Sequence, residues 1–91
     1  MKRQFRLMER VGKMEEPIFS LPLIELWGDG RVLIERHGGV IDYGTEKITV
    51  RVNYGSVSVE GVELTLCKLC AQQLVITGTI ASISIHREGK I

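Results

Sequence analysis

The sequence predicts an all-β fold: a small β-sandwich of about eight short, mostly antiparallel strands, preceded by a short N-terminal amphipathic helix. Three observations carry this prediction. Short apolar runs recur after Pro22, apolar and polar residues alternate within several of these runs, and the glycines fall almost entirely between them. A partly open barrel and a β-solenoid are the alternatives that the same pattern allows.

The composition predicts one globular domain. The chain has 91 residues, of which 44% are hydrophobic and 25% are charged. These fractions are ordinary for a folded chain and differ from the low hydrophobicity and high charge of disordered proteins. We divide the chain into a basic amphipathic segment at residues 1–16, a single β-domain at residues 17–88 and a tail at residues 89–91.

Residues 1–14 predict a helix with one apolar side and one basic side. The net charge of this segment is +4, whereas the rest of the chain sums to −3. Such a helix lies on an anionic membrane surface, or it packs on the sheet or on another subunit. The residues that we expect to contact a membrane or a partner are Lys2, Arg3, Arg6, Leu7, Arg10, Val11, Lys13 and Met14.

Short runs between turn residues predict the strands. They are Leu23–Trp27, Arg31–Arg36, Val40–Tyr43, Lys47–Val52, Ser56–Glu60, Val62–Leu69, Gln73–Thr77 and Thr79–His86. Asp29–Gly30 predicts a two-residue type I′ hairpin turn between the first two strands. Asn53–Gly55 predicts a longer hairpin loop in which Gly55 takes the left-handed conformation.

Alternation along residues 47–60 predicts a sheet with one buried face. The expected buried residues are Ile48, Val50, Val52, Val57 and Val59, continued by Val62, Leu64 and Leu66. The expected solvated residues are Lys47, Thr49, Arg51, Ser56, Ser58 and Glu60. The buried face needs a cover, which the remaining strands supply as a second sheet. Thr79–His86 is apolar on more than one face, which predicts a central strand or contact with another chain.

No combination of residues predicts a catalytic site, so we expect neither an enzyme nor a bound cofactor. His37 lies in a turn and His86 at the end of a strand, and neither accompanies a nucleophile at a sharp turn. Cys67 and Cys70 have the spacing of a redox pair or of half a zinc site, and the two histidines would complete four ligands. A small ligand-binding, zinc or redox module centred on the cysteines is therefore the alternative function, although packing of two thiols is the simpler interpretation.

Location and partners follow from charge and hydropathy. No secretory signal and no apolar run of membrane-spanning length occurs in the sequence, so we expect a cytoplasmic protein. A net charge of +1 and an aromatic content of 5% argue against nucleic-acid binding, which needs a basic surface with exposed aromatic side chains.

Four strand-and-turn segments follow one another in a recognisable order. They are LPLIELWG at 21–28, VLIERHGGV at 32–40, YGSVSVEG at 54–61 and LVITGTI at 74–80. Together they resemble the YabP/YqfC family of sporulation proteins, and its YqfC-like branch in particular. The chain departs from the family pattern at residues 68–73, where a polar turn with proline is usual, and after His37, where Gly38 replaces a basic residue.

The resemblance implies a non-enzymatic protein made in the mother cell during endospore formation, with a β-sandwich-like fold. It implies no catalytic residue. It also implies a protein partner, namely a YqfD-type membrane protein, and hence a position peripheral to the forespore membrane. Self-assembly into a homo-oligomer through sheet edges is a further expectation.

Overall fold

The computed structural model describes residues 21–88, which form six strands and contain no helix. The strands are β1 (Leu23–Trp27), β2 (Arg31–Glu35), β3 (Val40–Tyr43), β4 (Lys47–Val52), β5 (Gly55–Leu69) and β6 (Gln73–Arg87). The all-β fold class is confirmed. The predicted helix within residues 1–16 lies outside the described residues.

All six strands belong to one open antiparallel sheet in the order β1-β2-β6-β5-β4-β3. Strands that follow one another in sequence pair as hairpins because their connections are short, except that β2 pairs with β6 rather than with β3. A β-solenoid is excluded, since its rungs would pair in parallel. This order leaves β1 and β3 as the outer strands.

The structure has six strands where about eight were predicted, because Gly61 and Gly78 lie inside strands instead of between them. A Cβ atom at Gly61 would collide with the carbonyl oxygen of Thr79, and one at Gly78 would lie 2.7 Å from the carbonyl oxygen of Glu63. Glycine within a strand allows this close approach of two backbones. The four short strands expected around these glycines are therefore two strands of 15 residues each, β5 and β6.

The open sheet curves so that its two halves face each other across one core. Val32 and Ile34 of β2, like Ile48 and Val50 of β4, are fully buried and belong to a single hydrophobic cluster. Two strands, β6 and β5, separate β2 from β4 in the sheet. Side chains from strands this far apart share a core only when the sheet folds over itself. The predicted two-layered core therefore takes the form of two halves of one bent sheet.

Two hairpin turns are hydrogen-bonded to the long strands where the sheet bends. In the β3–β4 turn, the carbonyl oxygens of Thr45 and Glu46 accept from the amides of Leu64 and Gly61, at 2.8 and 3.0 Å. In the β1–β2 turn, the carbonyl oxygen of Asp29 accepts from the amide of Ile80 at 2.8 Å. These bonds satisfy amides that the register shifts of the β5–β6 pair would otherwise leave unpaired.

The predicted buried face is largely confirmed, with two errors. Ile48, Val50, Val52, Val57, Val59 and Leu64 are buried, and Leu66 is partly buried against them. Val62 is 58% exposed, because the register of β5 shifts between Val62 and Thr65, where Glu63 adopts a φ of 55°. Ser58 is only 3% exposed, since it lies between β4 and β6 and its hydroxyl is 3.2 Å from that of Thr49.

The two predicted hairpins, β1 with β2 and β4 with β5, are confirmed, although their turns differ from the prediction. Trp27 pairs with Arg31, so the β1–β2 loop has three residues, and only Gly28 within it has a positive φ, of 59°. The type I′ turn centred on Asp29–Gly30 is therefore wrong. Gly55 does have a positive φ, of 150°, but it is the first residue of β5 and pairs with Val52.

Candidate interaction surfaces

The two cysteines are free, exposed thiols that lie at different positions around the end of β5. Cys67 lies in β5 at a register shift between Leu66 and Lys68, and its Sγ is 3.1 Å from the hydroxyl of Thr77. Cys70 follows β5, and its thiol donates to the carbonyl oxygen of Gln73 at 3.4 Å. Each thiol is thus engaged with a different neighbour on β6.

His37 links the β2–β3 connection to the β5–β6 turn. Its Nδ1 accepts a hydrogen bond from the amide of Gly39 at 2.9 Å, and its Nε2 lies 2.9 Å from the carbonyl oxygen of Cys70. An amide only donates and a carbonyl only accepts, so Nδ1 is the acceptor and Nε2 the donor in these two contacts. Both ring nitrogens are used by the backbone, which gives His37 a structural role.

The structure does not bring the four residues of the alternative zinc or redox site together. His37 meets Cys70 through the backbone carbonyl and not through the thiol. His86 lies near the far end of β6, opposite Ser56. Across residues 21–88 no group of three or more His, Cys, Asp or Glu side chains is arranged to hold a metal ion.

An open depression lies where β2 ends and β6 begins, lined by Glu35, Arg36, Cys70, Gln72 and Gln73. Its polar groups hydrogen-bond to one another. The side-chain amide of Gln73 donates to the carboxylate of Glu35 at 2.9 Å, and the backbone amide of Arg36 donates to the backbone carbonyl oxygen of Gln72 at 2.6 Å. Arg36 adopts a φ of 62°, which the sequence analysis did not anticipate. These contacts tie the two strand ends together, so we regard the depression as structural.

The outer strands expose large apolar side chains. In β1 these are Leu23, Leu26 and Trp27, the last 55% exposed, and in β3 they are Ile41 and Tyr43. The guanidinium of Arg31 lies 4.9 Å from the centre of the Trp27 ring, a cation–π contact that fixes the ring at the end of β1. Exposed apolar residues on a strand with an unpaired edge are typical of protein–protein contact sites.

The long strands also extend beyond the strands that flank them. β2 pairs with β6 only from Gln73 to Thr77, and β4 pairs with β5 only from Gly55 to Glu60. Within residues 21–88, the end of β5 and the second half of β6 therefore each have a neighbour on one side alone. These edges, which the sequence pattern did not reveal, are further candidate surfaces.

The predicted membrane or partner contacts from Lys2 to Met14 lie outside the described residues, so the geometry above neither supports nor contradicts them. Among residues 21–88 the structure contains no helix with the length and hydropathy of a membrane span.

Comparison with known proteins identifies the family. The model of the YabP family matches residues 22–90, which include the whole described sheet. The chain belongs to the YabP family. Membership suggests a sporulation-related protein, in agreement with the resemblance drawn from the four strand-and-turn segments. Neither the curated proteins nor the solved structures contained a match to this YabP family member.

Proposed function

We propose that this YabP family protein is a non-enzymatic structural or assembly factor of endospore formation, which acts through contacts with other proteins and with a membrane surface. The family match over residues 22–90 is the observation that carries the proposal. It covers all six strands, which supports assigning the protein contact to the sheet domain.

The outer strand β1 is the surface on which we place the protein partner. Its apolar side chains Leu26 and Trp27 are about half exposed, and no strand of residues 21–88 pairs with its outer edge. An extended segment of a partner can add to such an edge through backbone hydrogen bonds, with apolar side chains setting specificity. The partner is a membrane protein of the YqfD type.

The basic segment at residues 1–14 is the part that we assign to the membrane. Its net charge of +4 contrasts with the −3 of the remaining chain, so it is the one part of the chain that an anionic surface attracts strongly. The protein then works in the mother cell cytoplasm, peripheral to the forespore membrane.

Recovery of partners from sporulating cells tests the protein contact. Leu26→Asp combined with Trp27→Asp should abolish recovery of the membrane partner and lower the number of heat-resistant spores. Val62→Asp is the matched control, because Val62 is exposed to a similar extent but lies on β5, an inner strand of the sheet. A normal spore count without the protein would refute the sporulation role.

Co-sedimentation with vesicles of anionic phospholipid tests the membrane contact. Arg3, Arg6, Arg10 and Lys13 changed to Glu should abolish binding, since each basic residue near such a surface contributes about 1 kcal/mol. Vesicles of neutral phospholipid serve as the control surface. Unchanged binding of the Glu variant would dismiss the membrane part while leaving the protein contact intact.

A further inference from the structure

Within residues 21–88, the second half of β6 has a free backbone edge. β2 leaves β6 after Thr77, and the β1–β2 turn accompanies it only as far as the amide of Ile80, which donates to Asp29. From Ser82 to Arg87, β6 pairs only with β5 among residues 21–88. A strand that is central at one end is thus an edge strand at the other.

The direction of the backbone groups on this edge follows from the register. The amide of Glu88 donates to the carbonyl oxygen of Tyr54, on the side of β5, and the pairing from Ser82 to Arg87 is free of register shifts. Backbone groups alternate sides along a strand. Ile83 and Ile85 therefore direct their amides and carbonyls away from β5, towards the open edge.

Around Ser84 this edge lacks the features that protect two other edges of the sheet. β3 carries Asp42 next to a register shift, and the free end of β5 carries Lys68 next to another. Charged residues and bulges discourage a second strand from pairing with an edge. From Thr79 to Ile85, β6 has no charged residue and no proline, and most of its residues favour strands. The charged Arg87 lies at the end of the edge, where its guanidinium is 4.8 Å from the centre of the Tyr54 ring.

We propose that a second copy of this chain pairs with this edge, β6 antiparallel to β6, across a two-fold axis at Ser84. The edge is complementary to itself in this register: Ile83 lies opposite Ile85 of the second copy on the core-facing side, and each such pair exchanges both of its backbone hydrogen bonds. Ile85, which is 57% exposed, is thereby covered.

The polar face of the same register is also self-complementary. Ser84 meets Ser84 of the second copy, and His86 meets Ser82 of the second copy. The hydroxyl of Ser82 donates to the carboxylate of Glu60 at 3.4 Å, so a histidine is placed near a carboxylate and no like charges are opposed. The inference concerns self-association alone and does not depend on the proposed role in sporulation.

Sedimentation velocity of the full chain tests the dimer. The chain should shift from monomer to dimer as concentration rises. Ile85→Lys should raise the dissociation constant roughly a hundredfold, because the two-fold axis repeats a loss of about tenfold in each copy. Ile41→Lys, a change of an equally exposed isoleucine on β3, should leave it unchanged.

A cysteine at the axis tests the register. In a chain with Cys67→Ser and Cys70→Ser, Ser84→Cys should form a disulfide-linked dimer on oxidation. Residue 84 and its copy form a non-hydrogen-bonded antiparallel pair, whose Cα atoms lie about 4.5 Å apart. Asp42→Cys, on the edge of β3, is the matched control and should remain monomeric.

A full chain that stays monomeric at millimolar concentration overturns the proposal. Dimerisation only after removal of residues 1–16 also overturns it, in favour of an edge covered by the chain itself.

Discussion

Gly61 of β5 lies opposite Ile80 of β6, and the carbonyl oxygen of Thr79 occupies the space in which a side chain of residue 61 would begin. The two long strands therefore approach each other at the bend more closely than any other residue type allows. Both halves of the sheet, and the core that they share, depend on this contact.

Gly61→Ala should lower the free energy of unfolding by at least about 2 kcal/mol, because the new methyl group forces the strands apart at the bend. Gly30→Ala is the control, since a Cβ there makes an ordinary contact of 3.7 Å with Gly78. It should change stability by less than about 0.5 kcal/mol. Denaturant unfolding of both variants measures the difference, and equal effects would contradict the close approach.

Ile34→Val should lower the free energy of unfolding by about 1 kcal/mol, since it removes one methylene from a fully buried side chain of the shared core. The same substitution at Ile41, which is half exposed on β3, should have almost no effect. Thermal unfolding of the two variants provides the measurement. A larger loss at Ile41 would mean that the two strands are wrongly placed relative to the core.

His37→Ala should destabilise the fold by roughly 1–2 kcal/mol, because it removes the hydrogen bonds to Gly39 and to the carbonyl of Cys70. His86→Ala removes an exposed side chain with no such bridging role, so we expect its stability to match that of the unaltered chain. Chemical denaturation distinguishes the two. Equal stability of both variants would remove the structural role of His37.

Cys67→Ala combined with Cys70→Ala should leave the fold intact, with a loss of less than about 1 kcal/mol, since both thiols are exposed. Metal analysis of the purified protein accompanies the unfolding measurement. The positions of His37 and His86 argue against a zinc site. Stoichiometric zinc in the unaltered chain, with loss of both zinc and fold in the double variant, would support one.

The alternation of apolar and polar residues predicted much of the fold. It identified Ile48, Val50 and Val57 as buried, because the side chains of a strand alternate between faces and only one face of this sheet meets the core. The family resemblance rested on the same strands and turns, and the family match confirms it.

Other features depend on contacts between residues distant in sequence. Gly78 was expected to end a strand, but it lies inside β6 beside Glu63, a neighbour that local pattern does not specify. His37 and the carbonyl oxygen of Cys70 are 33 positions apart in sequence, so their contact is not visible in the local pattern. The spacing of the cysteines and histidines alone suggested a metal site instead. Likewise, β6 has a free edge around Ser84 in the described part of the chain because β2 is shorter than β6, and this difference becomes visible only once the strands are paired.

Amide hydrogen exchange along β6 tests the central claim, that this strand is interior in its first half and an edge in its second. In dilute solution the amides of Leu74, Val75 and Ile76 should all exchange slowly, whereas beyond Ser82 slow exchange at Ser84 and His86 should alternate with fast exchange at Ile83 and Ile85. Raising the concentration should slow exchange at Ile83 and Ile85. Slow exchange at these two amides at every concentration, or no alternation at all, would contradict the account.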